Sequence, residues 1–429
     1  MPNDSPYLSV VVVSRNDDHG GNPLQRTQLC INSLYEQCNR YRLPAELIIV
    51  DWNPPSNRPG LADVIQWPED RRYIRARVIT VPPEFHRSLA HSDNLPLFQM
   101  IGKNVGIRRA AGEYVLATNI DILFSDELME YLSKRPLQHG HSYRVDRYDI
   151  RNDVVYEAAG DVKPDYRKKV IRVNIKLGTF FNSWMGKIGR IVNPLADAAM
   201  LVFGNRIVFR IISFFVDIIR FVVGALRSLW NGVFSRYFQS EDTVGAFFIS
   251  IRRWYYSVVS RFLPGSTIPS ERRNSILMLF GYLFYRVKLR GGSGLPFLHL
   301  NGCGDFTLLS KEDWDSLGGY LEDPIFSWNL DSLFLIDAYY YGIPEVYLQP
   351  PKNIFHVEHG AGSGWTPGKG EQLLFERLEK AGTPYFSWED CLVYAERWRD
   401  NGNKREFLHK IKRMDYGFLE WDLPERCIE

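Results

Sequence analysis

The sequence predicts an α/β fold in which helices flank a mixed, mostly parallel sheet. Short apolar, β-branched runs recur through the first 150 residues, at positions 8–13, 46–50 and 78–81. Segments with helical spacing separate these runs, and polar residues follow them. Strands that alternate with helices in this way form parallel sheets whose strands are buried on both faces.

Polar residues follow the first two predicted strands at the point where each strand ends. Because parallel strands present their carboxyl ends to one crevice, these side chains are candidate ligand contacts. They are Arg15, Asn16 and Asp17 after the first strand, and Asp51 and Asn53 at the end of the second. Between the two strands, residues 24–37 are predicted to form a helix.

A further helix, predicted at residues 94–111, carries Lys103 and Asn104 and leads into an apolar strand. That strand ends on Asn119 and Asp121. Residues two apart in an extended segment point to the same face, so we expect both oxygen donors on one side. Oxygen ligands of this kind suit a hard divalent cation and the phosphates that it carries.

Residues 103–121, KNVGIRRAAGEYVLATNID, resemble a motif of family 2-type glycosyltransferases, which have the GT-A fold. The run is similar to the family's N-x-G-x-x-x-A-x-G-E-Y segment and the D-x-D motif after it, although Asn119 replaces the first Asp. The resemblance covers residues 7–150 and resumes near residue 298. It implies a nucleotide-sugar-binding half at 1–150, with Asp121 on Mn²⁺ or Mg²⁺. The implied donor contacts are Arg15, Asn16, Asp17, Asp51, Asn53, Lys103, Asn104 and Asn119.

Residues 291–370 are similar to the acceptor half of family 2 and family 7-type transferases, on the arrangement GDF…W…GGY…D. In those enzymes a carboxylate at a helix start is the catalytic base. Asp331 matches it by position, although Leu330 replaces the usual Glu, and a simple helix cap is the alternative role. Asp305 is the rival candidate for the base, and binding of acceptor hydroxyls is its other interpretation.

A histidine near the C-terminus completes the metal site in many GT-A enzymes, so the resemblance implies His356 or His359 as a ligand. We favour His356 slightly, because it ends an apolar run of residues. The alternative for either histidine is a structural role, which is more common for a lone histidine. A glycine-rich loop follows at residues 360–370, and we expect it to form a flap over the site. Residues 371–429 are predicted to form two or three amphipathic helices that pack on the domain.

Residues 151–290 do not follow this pattern and are predicted to be a helical insertion. Between Tyr166 and Arg290 the chain has 20 Lys and Arg against 5 Asp and Glu. Within 207–226, polar or small residues recur every three or four positions on an otherwise apolar helix. We expect residues 180–289 to lie on an anionic membrane surface. A helical subdomain packed on itself or across a dimer is the alternative. Nucleic acid is disfavoured by the apolar faces.

Composition places the protein among cytoplasmic proteins. Hydrophobic content of 45% and charged content of 24% are ordinary for a soluble chain. Five cysteines without a CxxC pair indicate reduced thiols. The N-terminus has no signal-peptide pattern, so we expect the protein on the inner face of the cell membrane. The sequence has no Walker, G-x-G-x-x-G, G-x-S-x-G or H-E-x-x-H motif, which disfavours the commonest ATPase, dehydrogenase, hydrolase and zinc-protease functions.

The sequence therefore predicts a metal-dependent, inverting glycosyltransferase that uses a nucleotide-diphosphate sugar and a glycan or lipid-linked acceptor. Inversion follows from the resemblance alone. Two alternatives stay open. One is a sugar nucleotidyltransferase, which releases pyrophosphate. The other is a catalytically silent membrane scaffold or glycan-binding module, which Asn119 and Leu330 favour because they depart from the family pattern.

Overall fold

The computed structural model describes residues 5–17, 23–157, 165–176, 178–181, 298–359, 372–412 and 422–428. All of them belong to one unit, which joins Met1–Arg190 with Ser293–Glu429. Apart from residues 180 and 181, the predicted membrane segment lies outside the described residues, as does the glycine-rich loop at 360–370. Within the described ranges, none of the helices combines the length and apolar character needed to cross a bilayer.

The strands form two sheets. In chain order they are β1 (Leu8–Ser14), β2 (Ala45–Trp52), β3 (Ile74–Val81), β4 (Tyr114–Ala117), β5 (Ile122–Phe124), β6 (Ser142–Arg144), β7 (Asp146–Ile150), β8 (Val170–Ile175), β9 (Gly178–Phe181), β10 (Thr307–Ser310), β11 (Glu345–Tyr347), β12 (Asn353–Val357) and β13 (Glu425–Ile428).

The helices surround these sheets. In chain order they are α1 (Pro23–Tyr41), α2 (Leu61–Val64), α3 (Pro83–Arg87), α4 (Gln99–Arg109), α5 (Asp126–Ser133), α6 (Val154–Glu157), α7 (Lys311–Leu317), α8 (Leu330–Tyr341), α9 (Gln372–Lys380), α10 (Trp388–Asp400) and α11 (Lys404–Ile411). Short 3₁₀ turns lie at Tyr166–Lys169 and Cys303–Asp305.

The main sheet has the order β11-β6-β10-β4-β1-β2-β3-β13, and its strands β4, β1, β2 and β3 are parallel to one another. Successive side chains of β1 enter opposite cores: Val11 and Val13 face one, and Val10 and Val12 face the other. A strand buried on both faces must be apolar at every position, which explains the VVVV run. The predicted mixed, mostly parallel sheet flanked by helices is confirmed.

A second sheet has the order β5-β12-β7-β8-β9 and carries Arg147, Asp149 and His356. The chain leaves the main sheet after Ala117 and enters the second at Ile122, so residues 118–121 form a turn at the junction. The prediction that Asn119 and Asp121 leave one face of a single strand is therefore wrong. The alternation of faces holds only while the backbone stays extended.

Helix α4 lies close against β1 because two of its positions are glycine. A Cβ at Gly106 would lie 2.5 Å from Val11 Cγ1, and one at Gly102 would lie 2.8 Å from Val13 Cγ1. This close packing fixes where α4 lies along β1. It therefore also fixes where Lys103 meets the Cys303–Asp305 turn. The helix is shorter than the predicted 94–111, since residues 88–98 form a loop before it.

The C-terminal tail packs on α8, as predicted. Asp337 of α8 is 1% exposed and accepts hydrogen bonds from Tyr394 Oη at 2.6 Å and Trp398 Nε1 at 2.8 Å. Lys412 lies 2.9 Å from its other carboxylate oxygen. The tail also adds β13 to the edge of the main sheet, a strand that the sequence did not predict.

Candidate active site

Asp121, His356 and His359 converge where the two sheets meet. Nε2 of His359 lies 3.0 Å from Oδ2 of Asp121, and Nε2 of His356 lies 3.6 Å from the same oxygen. Strand β12 brings the histidines there, since the Val357 amide donates to the Asp121 carbonyl at 3.2 Å. The three residues offer ligand atoms within 4.8 Å of one another. One carboxylate with two imidazoles suits Mn²⁺ better than Mg²⁺, which prefers oxygen ligands.

The charges of this cluster are strongly coupled. Burial would raise the pKa of Asp121, but His356 and His359 hold it well below its usual range. Burial would also lower the pKa of His356, yet Asp121 and Asp149 raise it to about 10. The imidazolium thus supplies the positive charge that a cation would bring. A cation at these ligands would replace the proton on His356 Nε2.

Asp149 supports His356 from behind, and sequence reasoning missed it. The two residues are register partners on parallel strands, and His356 Nδ1 lies 3.1 Å from Asp149 Oδ1. Asp149 is fully buried and forms ion pairs with Arg147 and Arg172. Metal-binding histidines commonly donate their second ring nitrogen to such a carboxylate. The sequence did contain a signal for this residue: Arg147 and Asp149 are two residues apart, so both side chains point to one face of a strand.

Asp305 joins this cluster to the Cys303–Asp305 turn, and both of its carboxylate oxygens accept hydrogen bonds. Its Oδ1 accepts from Asn119 Nδ2 at 2.5 Å, and its Oδ2 accepts from the Arg147 guanidinium. Its backbone carbonyl accepts from Thr118 Oγ1 at 2.6 Å. Asn119 is also engaged through its own Oδ1, which accepts from Gln99 Nε2 at 2.7 Å. The two residues therefore fix the junction to the Cys303–Asp305 turn.

The side chain of Asp331 has fewer hydrogen-bond and ion-pair partners than that of Asp305. It is the second residue of α8, half-buried, and its Oδ1 accepts the Ser332 amide at 2.9 Å. Its Oδ2 faces Gly304 so closely that a Cβ there would lie 2.8 Å away. Among the described residues, no basic side chain lies within ion-pair distance of it. The N-cap residue of α8 is Asn329, whose side chain makes no capping hydrogen bond, whereas Asp331 Oδ1 satisfies one free amide of the first turn and Oδ2 remains for another partner.

The side chains of Lys103 and Asn104 contact Gly304 and residues 320–322 rather than the ends of β1 and β2. Lys103 Nζ donates to the Gly304 carbonyl at 2.6 Å, and burial lowers its pKa to about 8. Asn104 Nδ2 donates to the Tyr320 carbonyl at 2.9 Å and to Glu322 at 2.8 Å, and its Oδ1 accepts the Tyr320 amide. The Asn104 amide thus ties α4 to residues 320–322.

The other predicted donor contacts gather at the ends of β1 and β2. Arg15 Nη1 and Asn53 Nδ2 both donate to the Pro96 carbonyl, at 2.8 Å and 3.2 Å. Arg15 also pairs with Asp17 at 3.1 Å, and Asn16 Nδ2 donates to the Pro59 carbonyl at 2.9 Å.

Asp51 is the buried member of this second group. Its Oδ2 accepts the Leu61 amide at 2.8 Å, whereas its Oδ1 has no hydrogen-bond partner within the described ranges. Burial raises its pKa to about 6, against the opposing effects of the Leu61 amide and Arg15. A buried acceptor oxygen at a strand tip fits an N–H or O–H group of a ligand.

No family model matches the chain, and no curated protein matches it. Among solved structures, a mannosyltransferase from Pyrobaculum calidifontis in complex with GDP-mannose and Mn²⁺ is a weak structural neighbour, with a TM-score of 0.35 and 12% sequence identity. The match covers 95% of this chain and 80% of that one. At this level of similarity, the functional assignment rests on the site itself.

Proposed function

We propose that this protein is a metal-dependent glycosyltransferase of the GT-A fold, similar to family 2, that transfers a sugar from a nucleotide-diphosphate donor. The observation that carries the proposal is the convergence of Asp121, His356 and His359 at the sheet junction. These residues come from two distant parts of the sequence, and each was a predicted ligand. Their donor set fits Mn²⁺, and the second nitrogen of His356 already has a carboxylate partner.

The roles of the chain's own residues follow from this arrangement. A cation at the three ligands supplies Lewis-acid neutralisation of the leaving diphosphate. Asp149 holds the His356 ring in orientation, and Arg147 and Arg172 balance the charge of Asp149.

Asp331 is the proposed base. It takes the proton of the acceptor hydroxyl while the acceptor oxygen bonds to the anomeric carbon. The bond from that carbon to the diphosphate breaks, and its electron pair stays on the phosphate oxygen. Because the acceptor oxygen attacks the face opposite the leaving diphosphate, the configuration at the anomeric carbon is inverted. Asp305 is unsuited to this role because Asn119 and Arg147 occupy both of its carboxylate oxygens. We assign Asp305 to positioning.

The donor's nucleoside is proposed to bind at the second group of polar residues. Asp51 offers an unpartnered oxygen to a base or ribose, and Arg15 and Asn53 lie beside it on the Pro96 carbonyl. We keep the division into a donor half (1–150), an insertion (151–290), an acceptor half (291–370) and a tail (371–429) as part of the proposal, with one correction: β8 and β9 belong to the second sheet and not to the insertion.

The acceptor is proposed to be a glycan or a lipid-linked glycan at the inner face of the cell membrane. The support is the composition of the insertion, whose 20 basic and 5 acidic residues between Tyr166 and Arg290 are mixed with apolar runs. Deletion of residues 180–289 should then move the protein from the membrane fraction to the soluble fraction. Unchanged fractionation would refute this location.

One observation favours the silent binding module as a second candidate. Asn119 replaces the first Asp of the family motif, and both ends of its amide are engaged with Asp305 and Gln99. Only Asp121 of the motif pair then remains for a cation. Such a module binds the donor or glycan but releases no product.

A thermal-shift panel of nucleotide sugars with and without Mn²⁺ tests the proposal. A ligand at 100 times its Kd stabilises the folded state by about 2.7 kcal/mol, so one donor should raise the melting temperature only with Mn²⁺. Asp121→Asn should abolish this increase, whereas the control Asp400→Asn, at an exposed carboxylate outside the cluster, should keep it. If no donor stabilises the wild type, the proposed function is wrong.

A further inference from the structure

Lys103 is a buried lysine of α4 whose ammonium group contacts the Cys303–Asp305 turn. Its side chain is 0% exposed, and Nζ donates to the Gly304 carbonyl at 2.6 Å. Gly304 also contacts Asp331, since a Cβ at this glycine would lie 2.8 Å from Asp331 Oδ2. Lys103 therefore reaches the proposed base through a single residue.

The turn that contains Gly304 is fixed on both sides. Thr118 holds the Asp305 carbonyl at 2.6 Å, and Cys303 Sγ lies 3.4 Å from the hydroxyl of Ser332, the neighbour of Asp331. Lys103 is the contact that holds this turn from α4.

The charges around Lys103 are predominantly acidic. Asp305 lies in the turn, Asp331 on α8 and Asp121 at the sheet junction, and the charge of each carboxylate opposes the effect of burial on the pKa of Lys103. Arg147 already pairs with Asp305.

We propose that Lys103 is a positioning residue for Asp331. It holds the Cys303–Asp305 turn through a charge-assisted hydrogen bond to the Gly304 carbonyl, and so fixes the backbone that lies against Asp331. The inference rests on the proposed function, because it assigns Asp331 the role of base. It differs from the donor-phosphate contact that the sequence resemblance implied for Lys103.

The proposal has a consequence for pH dependence. Burial lowers the pKa of Lys103 to about 8, although Asp305 and Asp331 oppose this effect. The charge is therefore present below about pH 8 and lost above it. Transfer should fall through this range, because the neutral amine makes a weaker hydrogen bond to the Gly304 carbonyl than the charged ammonium does, and the turn beside Asp331 is held less firmly.

The test is the pH profile of kcat from about pH 6 to about pH 10 for wild type, Lys103→Arg and Lys103→Met. The wild type should show an alkaline limb near pH 8. Both variants should lose that limb, because neither carries a lysine there. Lys103→Met should have a kcat lower by roughly 10-fold or more, while Lys103→Arg keeps its charge and more of the activity.

Lys412→Met is a matched control. Lys412 is also buried, pairs with Asp337 of the same helix α8, and donates to a glycine carbonyl, that of Gly319, at 2.5 Å. Removing it should lower stability and leave the alkaline limb unchanged. An alkaline limb that persists in both Lys103 variants, or disappears equally in Lys412→Met, overturns the inference.

A measurement without catalysis checks that Lys103 is a buried charge even if one variant folds poorly. A lysine whose folded-state pKa lies below the ordinary 10.5 destabilises the fold while it is charged. This cost is relieved as pH rises from about 8 to about 10.5. The melting temperature of wild type relative to Lys103→Met should rise over that range, and a flat difference overturns the charge assignment.

Failure of the proposed function is distinguishable from failure of this inference. If no variant transfers sugar and no donor stabilises the wild type, the proposed function is wrong and the role of Lys103 falls with it. If the wild type transfers sugar and Lys103→Met has the same kcat and pH profile, only the role of Lys103 is wrong.

Discussion

His356 and Asp149 face each other across two parallel strands, with the imidazole Nδ1 3.1 Å from the carboxylate Oδ1. Asp149 is fully buried and is held by Arg147 and Arg172, so the sheet itself fixes its position. The orientation of the His356 ring is therefore set before a cation arrives. Such preorganisation is the usual role of the carboxylate partner of a metal-binding histidine.

Asp149→Asn should weaken Mn²⁺ binding by about 10- to 100-fold, because the ligands stay but the ring loses its charged partner. Calorimetric titration of Mn²⁺ measures this change. Arg147 keeps Asp305 and Arg172 keeps Glu358, so the variant should still fold. The control Asp153→Asn, at a partly exposed carboxylate, should bind Mn²⁺ as the wild type does. Unchanged affinity in Asp149→Asn would remove the support role.

Gly304→Ala should reduce transfer while donor binding persists. The new methyl group would lie 2.8 Å from Asp331 Oδ2, closer than real contacts allow, so the proposed base must move. A 1 Å displacement can cost about 100-fold in rate. The comparison is kcat against donor affinity, with Gly402→Ala as control because nothing lies within 4 Å of its added Cβ. Full kcat in Gly304→Ala would contradict the placement of Asp331.

Asp331→Asn and Asp305→Asn should fail in different ways. Loss of a general base lowers kcat by about 10²- to 10⁴-fold, so Asp331→Asn should fold normally, bind donor and transfer slowly. Asp305→Asn instead replaces one of the two carboxylate partners of Arg147, which keeps Asp149, and should lower the free energy of unfolding by roughly 2 kcal/mol. Urea unfolding and kcat, measured on both variants, separate the roles. A kcat loss confined to Asp305→Asn would reverse the assignment.

Asp51→Asn should make the protein more stable and bind nucleotide less well. Burial raises the pKa of Asp51 from 3.8 to about 6, so the folded state holds this proton more tightly than the unfolded state. The protonated Asp51 carboxyl stabilises the folded state fully below about pH 4, and this stabilisation is lost as pH rises through about 6. The free energy of unfolding of the variant should therefore exceed that of the wild type by up to about 3 kcal/mol above pH 6. Below about pH 4 the two should be equal.

Thermal unfolding at several pH values checks the stability change, and titration with nucleoside diphosphates checks binding. Asp63→Asn is the control, since this carboxylate is exposed and pairs only at the surface with Arg426. A variant that binds nucleotide as tightly as the wild type would remove Asp51 from the donor site.

The main sheet was predictable because its central strands are buried on both faces and leave a continuous apolar run in the sequence. The predicted ligands Asp121, His356 and His359 also lie together. The second sheet was harder to predict, because its strands carry buried charges. Arg147 pairs with Asp149, which is two residues away, but its other carboxylate partner, Asp305, comes from a distant segment. The distant pair leaves no local signal.

The junction at residues 118–121 also could not be inferred locally. The run from Tyr114 to Phe124 is apolar enough to suggest one strand, yet its two ends pair with different sheets. Strand β13 was missed for a related reason, since its side chains are mostly exposed and its pairing partner is β3. Long-range pairing decides both cases.

The most direct test of the central claim is the product released from the matching nucleotide sugar with Mn²⁺ and an acceptor glycan. The wild type should release a nucleoside diphosphate and extend the acceptor. Asp121→Asn, or chelation of the cation, should stop both, because the diphosphate then leaves without neutralisation. Release of pyrophosphate, or undiminished sugar transfer by Asp121→Asn, would contradict the proposed function.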